Sequence, residues 1–259
     1  MNILYPYIGV TDVISRKQAE RLLKVFEAHL PNGSNYKFHV GVMTSYKVMN
    51  GLPTKFEKAF PKTRDIAGIF LPDGTYNCVH YIDYYGHGRP SFEDDLAEVI
   101  SLGGENLHAV QLDMIWPDPE SIGKVNGHLK DVEIILQIGE KAFDEVDEDP
   151  DELAERLDDY NGVVNRILLD RSMGTGKVMD AEWLLPFALA IRKRFPKMGL
   201  VAAGGLGSDT LQAVEPLLDE FPDLSIDAEG QLKKIKDTLE PLDTNLAEQY
   251  LIKAINLLC

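Results

Sequence analysis

Four aspartates stand at the ends of apolar runs: Asp83 after Cys-Val-His-Tyr-Ile, Asp113 after Ala-Val-Gln-Leu, Asp170 after Arg-Ile-Leu-Leu and Asp227 after Leu-Ser-Ile. Carboxyls gathered in one cleft push one another's pKa values apart, so such a set can supply acids, bases or acceptors for sugar hydroxyls. The alternative for each is to cap a helix or accept loop amides. Two glycine turns add a second kind of chemistry, Ala203-Gly204-Gly205-Leu206-Gly207 and Asp227-Ala228-Glu229-Gly230. Glycine lets the backbone approach an anion, and a helix opening beside it presents free amides. Gly204, Gly205 and Gly230 are therefore expected to bind phosphate, with the next helix starting at Ser208. Gly174 and Gly176, in the short turn Gly174-Thr175-Gly176-Lys177 after Asp170, are expected to fold over the same ligand. Their spacing does not fit the G-x-x-x-x-G-K-S/T loop of nucleoside-triphosphate enzymes.

These residues act together only if the elements bring them to one place. Strand-length apolar runs recur at 3–10, 36–43, 77–84, 107–115, 133–138, 165–169, 199–203 and 224–227. Many are apolar throughout, as in strands of a parallel sheet covered on both faces. Amphipathic segments separate them, several opening on a capping residue such as Ser91, Ser208 or Asp243. The stretch from Thr44 to Phe70 is irregular, with a short helix expected at 55–60 and an extra strand at 66–70. The acidic run 143–152 reads as a solvated loop leading into a helix. Eight strands alternating with helices predict one closed (β/α)8 barrel over residues 1–259, with an open eight-stranded sheet as the alternative. In such a barrel the strand C-termini form the active site, and phosphate is commonly held after strands seven and eight.

Lys and Arg total 26 against 42 Asp and Glu, a net charge of −16. That field repels nucleic acid and anionic lipid, so an anionic ligand needs a local device such as a ring of backbone amides. No apolar run reaches the roughly 20 residues of a membrane span and the start has no basic region, so a soluble, cytoplasmic protein is expected. Two cysteines, Cys78 and Cys259, suit a reducing compartment and suggest no metal cluster. Cys78 is placed at the start of its strand, near the wrong rim for catalysis.

The run Leu168-Leu169-Asp170 followed by Gly174-Thr175-Gly176-Lys177 and Asp180 resembles the sixth strand and loop of phosphoribosylanthranilate isomerase. Ala203-Gly204-Gly205-Leu206 is similar to that family's phosphate loop, Val110-Gln111-Leu112 to its fourth strand, and Gly9-Val10-Thr11 to the end of its first. Ile8 stands where the family keeps its catalytic cysteine, and Asp113 where a histidine is expected. The resemblance implies a barrel isomerising a phosphorylated sugar without metal or organic cofactor, with Asp170 as the acid. A replacement base would come from Asp227, Asp113 or His39. The expected partner is a small phosphorylated metabolite, with the chain a monomer or homodimer. Two other readings stay open: a barrel that binds a phosphate ester without catalysis, and a lyase or aldolase using Lys47 or Lys177 as a Schiff base.

Overall fold

A computed structural model describes residues 4–56, 58–84, 92–128, 132–172, 177–235 and 240–259. Eight parallel strands close into a barrel in sequence order: β1 Tyr7–Val10, β2 Lys37–Ser45, β3 Thr75–Ile82, β4 Ala109–Asp113, β5 Glu133–Gly139, β6 Arg166–Asp170, β7 Gly199–Ala203 and β8 Ser225–Ala228. Ile8 pairs with Phe38 on one side and with Ile226 on the other, which closes the ring.

Strand alternation sorts side chains into two cores. Ile8, Val10, Phe38, Val79, Leu112 and Ile226 pack outward with the helices, whereas Tyr7, Cys78, Ala109, Ile135, Leu168 and Val201 pack together inside the barrel. At the strand N-termini, Arg166 is buried, pairs with Glu133 at 2.9 Å and lies over the Tyr7 and Tyr76 rings. That plug leaves the opposite end for ligand.

The outer helices are set by local signals. Ser15 caps the helix Arg16–His29 by accepting from the Gln18 amide, and Ala19, Leu22 and Phe26 form its buried stripe. Asp180 caps Ala181–Arg194, and Asp243 caps Thr244–Leu258. Ser208 is no cap: its hydroxyl donates to Asp209, and the next helical turn begins at Leu211 without a side-chain cap. The α-helix beyond it, Glu215–Glu220, has six residues, so the expected long helix opening at the phosphate turn is absent. Ser91 lies outside the described residues.

Between β2 and β3 the expected strand at 66–70 is instead the helix Ile66–Ile69, which buries Ile66 and Ile69, an i, i+3 pair. The described residues of 55–60 form turns rather than a helix, with Phe56 and Phe60 packed ring on ring. The acidic run holds the end of one short helix, Glu140–Asp144, and a turn, then opens Pro150–Arg156 capped by Asp149. No helix among the described residues is long and apolar enough to cross a membrane.

Candidate active site

The strand C-termini surround a cavity of about 520 Å³. Asp113 from β4, Asp170 from β6 and Asp227 from β8 all line it, together with Gly204, Gly205 and Gly230. Asp83 is buried beside the mouth without lining it; its amide donates to the Asp113 carbonyl at 3.1 Å. Gly174 and Gly176 lie outside the described residues.

Each carboxyl has its own environment. Asp227 is buried, and the Thr11 hydroxyl lies 3.0 Å from both of its oxygens. Burial pushes Asp227 up to about 8 from an ordinary 3.8; Glu229 and Asp170 add to the rise, and Thr11 opposes it. Asp113 is bonded by the Tyr84 hydroxyl, yet burial, with help from Asp170 and Glu229, lifts it to about 7. Asp170 accepts from the Ser172 amide at 2.8 Å and the Ser172 hydroxyl at 2.7 Å. A side chain at Gly204 would press on this carboxyl, since its Cβ would lie 3.2 Å from Asp170 Oδ1.

Deeper in, β1 and β2 lack side chains at two inward positions. A Cβ at Gly9 would lie 2.5 Å from Asp227 Oδ1 and 2.6 Å from His39 Nδ1; one at Gly41 would lie 2.8 Å from His80 Nε2. The space so left holds two parallel imidazoles, His39 and His80, with ring centroids 5.3 Å apart and Nε2 atoms 3.4 Å apart. Each has a ring nitrogen 3.9 Å from Asp227 Oδ2. Burial drives both histidines toward the neutral form, His80 down to about 3. His39, expected at the site, stays beneath it, and His80 reaches the cavity.

Two expectations about β1 and β3 change. Ile8 faces the outer core, so the inward neighbour of Asp227 on β1 is Gly9. Cys78 lies mid-strand inside the barrel, fully buried. Its thiol is pushed up by burial, then by Asp227.

Several site residues lie outside the expected set. Asp12, at φ 70° just beyond β1, and Glu229 both pair with the buried Lys233, the latter at 3.0 Å. Burial works against the charged amine of Lys233, but Glu229 and Asp12 outweigh it and raise its pKa. Gln111 donates to Gln137 at 2.8 Å across β4 and β5. The available signal was alternation: Gln111 with Asp113 and Cys78 with His80 are polar or reactive residues two apart, hence on one face of a strand.

The β7 turn has a steric reason of its own. Gly205 has φ 59°, and a Cβ there would stand 2.2 Å from the Lys177 carbonyl oxygen, while Met179 donates to the Gly204 carbonyl. The backbone after β6 therefore rests directly on the glycine pair, joining the two loops that flank Asp170.

No family model matches the chain and no curated protein does. Among solved structures it is similar to one titled "QR15, an Aldolase", at 12% identity and TM-score 0.56, over 98% of this chain and 96% of that one. A likeness at that identity shows the shared barrel fold alone.

Proposed function

We propose that this barrel is an isomerase-type enzyme that moves protons on a phosphorylated, carbonyl-bearing sugar, in the manner of phosphoribosylanthranilate isomerase. The observation that carries the reading is the convergence of Asp113, Asp170 and Asp227 on one cavity, with Asp113 and Asp227 raised to about 7 and 8. A group with a pKa near the working pH is well matched to general acid–base catalysis. Asp227 holds its proton at neutral pH and serves as the donor to a sugar oxygen, while Asp170, fixed by Ser172, takes the proton from carbon. The sequence resemblance expects Asp170 as the acid; the raised values of Asp113 and Asp227 favour one of these two as the donor.

The phosphate of such a substrate would lie at Gly204, Gly205 and Gly230, which line the same cavity. The acidic surroundings are less hostile than a count of carboxyls implies. Burial raises Asp113 and Asp227 toward their neutral forms, and Lys233 offsets one of the two carboxyls, Asp12 and Glu229, that it pairs with. Lys47 and Lys55 also line the cavity, from the segment after β2.

A Schiff-base aldolase finds less support. Of the two expected Schiff-base lysines, Lys177 is exposed and does not line the cavity, while Lys47 lines it from the segment after β2 and is the residue on which that reading rests. Lys233 is kept protonated, which removes the lone pair a nucleophile needs.

The test is turnover of phosphoribosylanthranilate and of a panel of aldose phosphates by wild type and Asp170→Asn. Conversion of at least one substrate, reduced about 10²–10⁴-fold in a variant of unchanged melting temperature, is the expected result. Equal activity in the variant, or covalent trapping of a lysine adduct by borohydride, would refute it.

A further inference from the structure

We propose that His39, Cys78 and His80 form a binding site for a single transition-metal dication, zinc by its donor set, on the floor of the cavity. One donor atom from each residue lies within 4.8 Å of the others, and all three side chains are buried. The two histidine Nε2 atoms stand 3.4 Å apart. Two nitrogens bound at ordinary zinc distances in a tetrahedron are about 3.4 Å apart, so the spacing already suits one shared ion. Two imidazoles and a thiolate are a borderline-to-soft set, which favours zinc over magnesium or calcium.

Two further features prepare the place. His39 Nδ1 is buried without a hydrogen-bond partner and stands 3.9 Å from Asp227 Oδ2. Ligation through Nε2 would place a proton on that Nδ1 facing the carboxylate, the usual support for a metal-bound histidine. The fourth position faces the cavity that His80 lines, where a water completes the tetrahedron.

Binding requires small, balanced changes. The two Nε2 atoms face each other at 3.4 Å. As the ion enters between them, each ring carries its one proton on Nδ1, and the Cys78 thiol releases its proton to solvent as the sulfur–metal bond forms. The dication then compensates the carboxylates around the mouth.

The experiment uses the full chain carrying Cys259→Ser, which removes the exposed thiol, stripped with chelator and titrated with Co²⁺ without any sugar phosphate. The expected result is one Co²⁺ per chain with tetrahedral visible bands and a thiolate-to-cobalt charge-transfer band, both displaced by Zn²⁺. Adding Cys78→Ser should abolish the charge-transfer band, and His80→Asn should weaken binding, with folding checked by circular dichroism. Absence of the charge-transfer band before any change at Cys78, or its persistence after Cys78→Ser, would overturn the proposal. Because the titration contains no substrate, its failure and a failure of proton transfer are read separately.

Discussion

The Thr11 hydroxyl, from the end of β1, lies 3.0 Å from both carboxyl oxygens of Asp227 at the end of β8. It is a hydrogen bond to the charged form, and it holds the pKa of a fully buried carboxyl lower than burial alone would leave it. Thr11→Val should therefore raise Asp227 further. If Asp227 donates the proton in catalysis, the alkaline limb of the kcat–pH profile should move upward in the variant. A limb that stays in place would assign that titration to another group.

Stability should depend on pH in a way that reports the same residues. Asp113 and Asp227 are raised from 3.8 to about 7 and 8, so the folded chain keeps protons that the unfolded chain has released. Their stabilisation is fully present below 3.8 and is lost as pH rises through 7 and 8. His80, lowered from 6.5 to about 3, and His39, lowered likewise, act with the opposite sign; their penalty vanishes as pH rises to 6.5. The two slopes oppose each other between about 4 and 6.5, and beyond 6.5 the carboxyl slope remains. Melting temperature should fall from pH 6.5 to 8, and Asp227→Asn should flatten the fall. A rise over that interval in wild type would contradict these assignments.

Gly205 should tolerate no side chain, for a reason unrelated to phosphate. Its φ of 59° and the Lys177 carbonyl oxygen 2.2 Å from the position of a Cβ mean that Gly205→Ala must shift backbone. A loss of about 1–3 kcal/mol in urea unfolding is expected already in the absence of phosphate. A variant as stable as wild type would show that the contact between the two loops gives way easily.

The barrel is legible because each strand is a buried run bounded by polar turns: seven of the eight expected runs lie within two residues of the observed strand at both ends, and the first begins four residues early. Asp113, Asp170 and Asp227 were legible for the same reason, as single carboxyls ending apolar runs. Orientation around the barrel was not. The motif resemblance points to Ile8, whereas strand alternation turns Ile8 outward and Gly9 inward. Ile8→Cys is consequently expected to leave activity unchanged, since its thiol would face the helices. Cys78, His80 and His39 come together only through the pairing of β2 with β3, which the order of residues along the chain does not show. The Asp12–Lys233–Glu229 cluster is hidden likewise, since it joins the ends of β1 and β8.

Hydrogen exchange at substrate carbon tests the central claim most directly. Wild-type protein is incubated in D₂O with phosphoribosylanthranilate and a panel of aldose and ketose phosphates, and deuterium in recovered substrate and product is read by mass spectrometry and NMR. Deuterium should enter at the carbon beside the carbonyl of at least one substrate, at a rate lowered about 10²–10⁴-fold by Asp170→Asn and by Asp227→Asn. No exchange in any of these sugar phosphates, or exchange that survives both substitutions, would contradict proton transfer by the carboxyls of this cavity.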